Sequence, residues 1–287
     1  MATARDLNNK IASLTNMQKV MSAMNMIAST KLRKLIIRHP ALVQFERMIN
    51  NIRDDIASGL NSFNSPLLRS VRKVRKIHIV AYTADKGLCG SHNSSVLKTL
   101  ARTVKTQSQK GVSMDITCIG GRARNFCRKR EFNIRQEIDS SEQHISDEAL
   151  REIATDIVQR IAENEVDKVI LIYNHFVSTL VQKTQEVQVL PFVTDSKTGS
   201  ETDTDIEPQP DDFILSSAKL YLYYKLKTAL TDSYLSEHAA RMTAMEQATA
   251  NADDLVSRYI KIRNRARQAA ITSELIEIVA GTEALNN

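Results

Sequence analysis

Tryptophan is absent from the 287 residues of this chain, and aromatic side chains make up only 5% of them. Cores built from β-sheet alone depend heavily on aromatic and β-branched side chains. The sequence contains nine methionines instead, and their flexible side chains fill irregular gaps well. The composition therefore favours helical packing over an all-β core.

Cysteine is also scarce, with isolated residues at Cys89, Cys118 and Cys127. An odd number of cysteines without paired ligand spacing predicts free thiols in a reducing compartment. The six histidines are scattered, and none belongs to an HExxH motif or another paired ligand spacing. We therefore expect no metal site, no cofactor and no catalytic residue.

Long apolar runs are missing as well. No uncharged apolar stretch approaches the ~18 residues that are needed to span a bilayer. The N-terminus has neither an apolar signal core nor an Arg-rich, acid-free leader. We expect a soluble protein that associates with a membrane only through partners.

Charge is present but unevenly distributed. The formal net charge is +6, and residues 1–76 alone hold 14 Lys and Arg against 4 Asp and Glu. A basic N-terminal region favours an acidic partner, which could be nucleic acid, anionic lipid or an acidic protein surface. The total charge does not choose among these three.

Apolar residues recur every 3.5 residues on average near the N-terminus, at Leu7, Ile11, Leu14, Met17, Met21, Met24, Ala28, Leu32 and Leu35. This is the heptad period of a left-handed coiled coil. Pro40 removes a helical hydrogen bond, which predicts a kink or break near residues 38–39. We predict a coiled-coil helix over residues 1–58.

A second series has the same 3.5-residue mean spacing, at Ala248, Ala252, Leu255, Tyr259, Ile262, Ala266, Ala269, Ser273 and Ile276. Neither glycine nor proline occurs between Asp211 and Gly281, which predicts one helix over residues 213–287. A helix of about 70 residues is roughly 105 Å long, far longer than a small domain. We expect the two series to pair as a long antiparallel coiled coil. The alternative is two separate amphipathic helices on a globular core.

Residues 59–212 alternate between strand and helix patterns, which predicts an α/β middle domain with a Rossmann-like parallel sheet. Buried strands are predicted at 76–83, 113–120 and 167–174, with an added strand pair at 178–192. Helices are predicted at 94–109, directly after Gly120, and at 146–164 behind the N-cap sequence "SDEA". Residues 195–212 are predicted to be a flexible acidic linker.

The loop after the first predicted strand, "DKGLCGSHN", contains glycines that invite comparison with a phosphate-binding loop. It has neither the GxGxxG spacing nor the lysine and hydroxyl of GxxxxGK[ST]. Cys89 and His92 lack an identifiable third group that would orient them for catalysis. We predict a scaffold without an active site, in which the glycines permit a tight turn.

The last helix carries five cations outside its predicted apolar series, at Arg258, Lys261, Arg263, Arg265 and Arg267. At about 100° per residue they point in several directions, whereas a nucleic-acid-binding helix collects its cations on one face. This favours a rod surrounded by a partner; a basic coiled-coil nucleic-acid-binding protein is the alternative. The helix ends on four apolar residues, Leu275, Ile276, Ile278 and Val279. A water-excluding collar would make such an end tolerable.

Four segments of the chain resemble the γ-subunit family of F-type ATP synthases. They are "TNMQKVMSAMNMIASTKL" (15–32), "TADKGLCGSHN" (83–93), "SEHAARMTAMEQATANADDL" (236–255) and "RNRARQAAITSELIEIVAGTEAL" (263–285). Ser91 and His92 depart from the Gly-Phe that is more usual in the second segment. The resemblance spans both ends and the middle of the chain.

The resemblance implies a central rotor shaft inside a ring of three α and three β subunits. Its foot would stand on the membrane ring of c subunits, beside an ε subunit. Ion flow would turn the ring, and the asymmetric shaft would force each β subunit through states of different nucleotide affinity. With no leader in the sequence, the expected location is peripheral, on the cytoplasmic side of a bacterial membrane, and a mature mitochondrial chain is the alternative. Residues 195–212 lack the cysteine pair of the chloroplast form, so thiol regulation is not expected.

Six residues of these segments match positions that the resemblance implies to be contacts with the catalytic subunits. They are Met24, Arg241, Arg267, Gln268, Thr272 and Glu277. The resemblance implies that Met24 faces an acidic lever of β and that Arg267 and Gln268 engage a β loop. It implies rotor–catalytic contacts for Arg241 and an effect on coupling for the remaining two. The four apolar residues of the helix end would form a bearing tip. Spacing explains Met24 equally well as a seam residue, and Arg267 as a solvated cation.

Overall fold

The computed structural model describes residues 4–59, 65–68, 73–140, 145–192 and 210–285. Backbone contacts divide the chain into two compact units. The paired-helix unit comprises residues 1–28 and 242–287, and the sheet unit comprises residues 29–241. Helices α1 (Ala4–Gly59) and α5 (Pro210–Leu285) contribute residues to both units. The domain boundaries at residues 58 and 212 stay a prediction.

The described part of the sheet unit contains five strands with three helices between them. In chain order these are β1 (Lys76–Tyr82), α2 (His92–Gln109), β2 (Ser113–Ile119), α3 (Gly121–Lys129), β3 (Ile134–Ile138), α4 (Asp147–Ala162), β4 (Lys168–Phe176) and β5 (Gln182–Leu190). The strands are ordered β3-β2-β1-β4-β5. The first four are parallel, and β5 runs antiparallel to β4. The predicted α/β fold is thus confirmed.

Two predictions within the sheet were wrong. Strand β3 was missed, because its three central residues, 135–137, are exposed and polar and give no strand-like apolar alternation. Residues 178–192 contain one strand rather than a pair, since β5 forms its hairpin with β4. The backbone N–H of Val177 donates to the carbonyl of Val181 at 3.2 Å, which closes the turn between them.

The sheet has helices on both faces because its central strand alternates between two cores. Ile77, Ile79 and Ala81 of β1 pack with residues of α2 and α3. Val80 and Tyr82 point to the opposite core, which α4 and α5 complete. Side chains of a strand alternate between faces with period two, so one strand serves both layers. The Tyr82 hydroxyl donates to the carbonyl of Leu226 at 3.2 Å and ties the sheet to α5.

Helix boundaries follow local signals closely. Ser146 caps α4 as predicted, since its hydroxyl accepts a hydrogen bond from the Ala149 N–H at 3.1 Å. Helix α2 begins two residues before its predicted start. Helix α5 begins at Pro210, a residue type that suits a first helical turn. It therefore takes the last three residues of the predicted acidic linker, and 195–209 lie outside the described residues.

Helix α1 continues through Pro40 to Gly59. The predicted break at residues 38–39 does not occur, and the kink given as its alternative stays a prediction. A proline lacks the N–H that the fourth preceding carbonyl would bind, so a continuous helix needs support from its surroundings.

The paired-helix unit joins the beginning of α1 to the end of α5 in antiparallel orientation. Gln18 Nε2 donates to Asp253 Oδ1 at 2.5 Å, and Arg263 Nη1 donates to Asn8 Oδ1 at 3.5 Å. Residue numbers therefore decrease along α5 as they increase along α1, which makes the pair antiparallel. No helix of the described residues is both long and apolar enough to cross a membrane.

The seam between these helices follows the predicted series at most positions. Met17, Leu255 and Ile262 are exposed by 52%, 39% and 43%, so these three seam assignments were wrong. The more buried neighbours are Gln18, Val256 and Arg263. A mean spacing of 3.5 fits two adjacent residues almost equally well, and at 17 and 262 the predicted residue is the apolar one of the two. A regular alternation of three-residue and four-residue steps instead places Gln18, Val256 and Arg263 in the seam. The last three predicted positions of α5 are also exposed, because they lie beyond the start of α1: Ala269, Ser273 and Ile276.

Candidate contact surfaces on the last helix

Helix α5 extends beyond the start of α1 in the paired-helix unit. Arg263 lies against Asn8, and α1 begins only four residues earlier, at Ala4. Every described side chain in 267–282 is exposed. This exposed part of α5, 16 residues, is roughly 24 Å long at 1.5 Å per residue. The single helix thus ends as a bare rod.

The bare end of α5 is amphipathic. Leu275, Ile276, Ile278 and Val279 are exposed by 57–63%. At about 100° per residue these four side chains cover a sector of about 160°. Three of them, Leu275, Ile276 and Val279, line a shallow apolar groove together with Thr272 and Ala280. A helix with such a face in water is an interaction surface or an aggregation liability.

The contact residues expected at the bare end do not share one side of the helix. By the same rotation of about 100° per residue, Gln268 and Thr272 lie within the apolar sector, Arg267 at its edge and Glu277 opposite. The Thr272 hydroxyl donates a hydrogen bond to the carbonyl of Gln268 at 2.9 Å, and Ser273 Oγ lies 3.5 Å from Glu277 Oε1. A partner that touched all four expected residues would have to surround the helix.

Two other shaft predictions have different outcomes. Met24 lies half-buried on α1, a position that suits the seam and still leaves part of the side chain accessible. Arg263 was expected outside the seam, but it is half-buried and donates to Asn8. That expectation was wrong, because the seam of α5 passes through 256 and 263 rather than 255 and 262. The remaining four cations, at Arg258, Lys261, Arg265 and Arg267, are exposed.

Arg241 is engaged within the sheet unit. Its Nη1 donates to Glu237 Oε1 at 2.7 Å, one helical turn earlier in α5. Its Nη2 donates to the carbonyl of Gly87 at 3.3 Å, in the loop after β1. Only 12% of the Arg241 side chain is exposed. Glu237 and Gly87 were not predicted as its partners, because nothing in the local spacing links positions 87 and 241.

The loop between β1 and α2 is held by its own polar side chains. Asp85 Oδ1 accepts from the N–H of Gly121 at 2.7 Å and from the N–H of Ser140 at 3.0 Å. Asn93 Oδ1 accepts from the N–H of Ala84 at 2.8 Å. Asp85 therefore occupies the N-terminus of α3, a position that would otherwise suit an anion. A phosphate at the start of α3 would have to displace Asp85.

Helix α5 also covers the place where open α/β sheets usually bind ligands. That place is the crevice at the carboxyl ends of the strands where the strand order reverses, here between β1 and β4. Ser236 of α5 donates to the carbonyl of Asn174 at 2.9 Å, at the end of β4. With Arg241 on the loop after β1, the chain fills this crevice with its own helix.

His92 is buried beside this crevice. Asn174 Nδ2 donates to His92 Nδ1 at 2.9 Å and to the His92 carbonyl at 2.8 Å. Burial first, and then the positive charge of Arg241, lowers the pKa of His92 to about 3. The imidazole is therefore neutral at physiological pH and acts as a packed aromatic ring rather than as a base.

The three cysteines are buried free thiols. Burial raises the pKa of Cys89, while Arg241 acts in the opposite direction. Thiolates are the reactive form of cysteine, so the raised pKa argues against a nucleophilic role for Cys89. Among the described residues, no group of three His, Cys, Asp or Glu side chains has a geometry that could hold a metal ion.

A family model described as ATP synthase matches residues 3–285. The chain is 36% identical to the ATP synthase gamma chain of Chlorobium phaeobacteroides (strain BS1), covering 99% of both chains. It is 35% identical to the ATP synthase gamma chain of Glaesserella parasuis serovar 5 (strain SH0165), covering 99% of this chain and all of the relative. The rotor of the Euglena gracilis mitochondrial ATP synthase has a similar fold, with a TM-score of 0.65 at 17% identity over 93% of this chain and 98% of that one.

Proposed function

The chain belongs to the ATP synthase gamma chain family, and we propose that it acts as the central-stalk rotor of an F-type ATP synthase. Family membership rests on similarity over nearly the whole length of the chain. The structural observation that carries the proposal is the bare end of α5, exposed over 267–282. A helix end that the described residues leave uncovered requires a partner from elsewhere.

The partner of the bare end is a collar of three α and three β subunits. On one side of the bare end, the collar would cover the apolar sector of about 160°. Glu277 lies on the opposite side of α5, so a collar that reached it would enclose the whole bare end. The exposed cations of the shaft face acidic levers on β, which gives electrostatic complementarity at the moving surface.

The mechanism assigns torque to this chain and chemistry to its partners. The paired helices resist bending, because each supports the other along their seam. The shaft has different side chains on its different sides, so rotation changes what each β subunit meets. Ion flow through the c-ring turns the foot of the shaft, with the ε subunit beside it. The chain then lies on the cytoplasmic side of a bacterial membrane and is held there by its partners.

The nucleic-acid alternative has no support among the relatives named above, which are ATP synthase gamma chains. The exposed cations Arg258, Lys261, Arg265 and Arg267 also spread around α5. Nucleic-acid-binding helices instead present their cations to one groove. The rotor therefore stands as the single function proposed.

Reconstitution tests this function directly. The chain is coexpressed with α and β subunits of the same organism, and ATP hydrolysis is measured together with the native mass of the product. We expect a complex of three α, three β and one copy of this chain, with hydrolysis that requires all three components. A chain that stayed free of α and β, with hydrolysis that did not depend on it, would contradict the proposal.

A further inference from the structure

Pro40 lies within α1, and the helix continues for 19 residues beyond it, to Gly59. A proline inside a helix leaves the carbonyl four residues earlier without its donor, and its ring crowds that carbonyl. Such a position normally kinks or breaks the helix. Contacts near residue 40 must therefore hold α1 in place.

The strongest polar contact at this position comes from Asp232 of α5. Its side chain is only 3% exposed, and its two oxygens bind two imidazoles. Oδ1 lies 2.8 Å from Nε2 of His39, the residue before Pro40. Oδ2 lies 2.5 Å from Nδ1 of His175, near the end of β4. One carboxylate thus joins three elements of the sheet unit.

The two arms of this cluster support each other. A buried carboxylate is costly unless its oxygens are hydrogen-bonded. With His39 and His175 each donating to a different oxygen, both oxygens have a donor. The ring of His39 also meets Phe176 edge-on, with ring centroids 6.3 Å apart. His39 is therefore held from α5 and from β4 at once.

Beyond the proline, α1 is held to α5 by a second set of contacts. Phe45 packs on Tyr224 with ring centroids 4.6 Å apart. Glu46 accepts a hydrogen bond from Lys225 at 2.6 Å. These contacts begin more than one turn after Pro40, so they restrain the following segment of α1 rather than the weak point itself.

We propose that Asp232 is the positioning residue that keeps α1 helical through Pro40, by binding His39 of α1 and His175 of β4 with one carboxylate. The cluster replaces, from outside the helix, the restraint that the missing backbone hydrogen bond would give. This role does not depend on the proposed rotor function. In a rotor, the same cluster would keep a torque-bearing helix from yielding at its proline.

Amide hydrogen exchange of the isolated full chain tests the inference, read on peptides that cover residues 37–44. Asp232→Ala should speed exchange there at least tenfold, because α1 can then open at Pro40. His39→Leu should do the same, whereas His39→Gln should stay within threefold of the parent chain, since its amide can still donate to Asp232. His175→Ala should give an intermediate effect, because the link between α1 and α5 persists.

Lys225→Met is the matched control, since it removes the neighbouring link between α1 and α5. It should change exchange at 37–44 less than threefold. Protection of the β1 amides, 77–82, checks that each variant is folded, and His39→Leu serves if Asp232→Ala is not. The inference is overturned if the folded Asp232 or His39 variants exchange at 37–44 like the parent chain. It is equally overturned if Lys225→Met accelerates exchange there as much as they do. None of these results depends on assembly with α and β, so they leave the rotor test separate.

Discussion

Gln18 of α1 donates a hydrogen bond to Asp253 of α5, with 2.5 Å between Nε2 and Oδ1. A polar side chain therefore occupies a position of the helix seam that the apolar neighbour Met17 was expected to take. Polar residues at such positions fix register at some cost in stability. The phase of the seam, and not only its period, decides which side chains a partner can reach.

Substitutions at two successive positions of the predicted apolar series, Leu14 and Met17, test this phase. Leu14→Gln should lower the free energy of unfolding by about 2 kcal/mol, because Leu14 is buried in the seam. Met17→Gln should change it by less than about 0.5 kcal/mol, since the side chain is already exposed. Urea unfolding followed by helical circular dichroism measures both. Equal effects at the two positions would contradict the observed phase.

Asp115 of β2 should be a major determinant of stability. It is buried and binds His78 Nδ1 at 2.5 Å, Lys76 Nζ at 3.2 Å and the guanidinium of Arg160. Burial alone would raise the pKa of Asp115, but the hydrogen bonds and charges of His78 and Arg160 outweigh it and hold that pKa below its usual range. Asp115→Asn should cost about 3 kcal/mol, because it leaves buried Arg160 short of its counter-charge.

Asp156→Asn is the matched control for that change. Asp156 is largely exposed and binds Arg135 at 3.2 Å, with Arg160 at 4.0 Å. An exposed ion pair contributes less than about 1 kcal/mol. Urea midpoints at pH 7 compare the two variants. If Asp156→Asn cost as much as Asp115→Asn, the buried cluster would not have the role assigned to it.

His92 should make the chain less stable in mild acid. Its pKa is about 3 in the folded chain and about 6.5 in an unfolded one. The unfolded chain thus binds a proton that the folded chain does not, so stability falls as pH drops from about 6.5 towards about 3. Between pH 7.5 and pH 5 this histidine should account for a loss of about 2 kcal/mol.

His92→Phe provides the comparison, because phenylalanine keeps a buried ring and cannot be protonated. The variant should lose less stability than the parent chain between pH 7.5 and pH 5, measured by urea unfolding at both values. The bond from Asn174 to the carbonyl of residue 92 can persist in the variant. Identical pH dependence in both chains would show that His92 does not titrate as described.

Gly120 is required where β2 turns into α3. Its φ of 101° lies in a region that other residues rarely adopt, and an added Cβ would sit 2.0 Å from the carbonyl oxygen of Thr83. Gly120→Ala should therefore cost more than about 3 kcal/mol. Gly111→Ala is the control, because its φ of 72° is also positive but an added Cβ meets open space. Gly111→Ala should lower the free energy of unfolding by about 1 kcal/mol. Thermal or urea unfolding measures both variants.

The expected coupling residues are tested in the reconstituted complex. Arg267→Ala should lower ATP hydrolysis by the complex severalfold if Arg267 engages a β loop, whereas Arg258→Ala, an equally exposed cation of α5, should have a smaller effect. Met24→Lys should change the rate of hydrolysis by adding an ion pair with the acidic lever of β. The two arginine variants should leave the unfolding of the isolated chain nearly unchanged. Equal effects of the two arginine variants would remove the special role of Arg267.

Much of the fold could be predicted because its signals are local. The alternation in β1, the N-cap at Ser146 and the absence of glycine and proline from 212 to 280 each act within a few residues. Strand β3 escaped prediction because it lies at the sheet edge, where one apolar row is short. Continuity of α1 through Pro40 also escaped, since the sequence shows the proline but not the contacts made by Asp232.

Local sequence signals were enough to predict the two long helices, the α/β alternation between them, the apolar end of α5 and the family. These follow from local periodicity and from motifs that a single stretch of chain contains. Three contacts became visible only in the folded chain: Arg241 binds Gly87, Asp85 occupies the start of α3, and Gln18 rather than Met17 faces α5. Each of these contacts joins residues that are far apart in the chain. Their partners are selected by packing and by the need to satisfy buried polar groups, which no local spacing encodes.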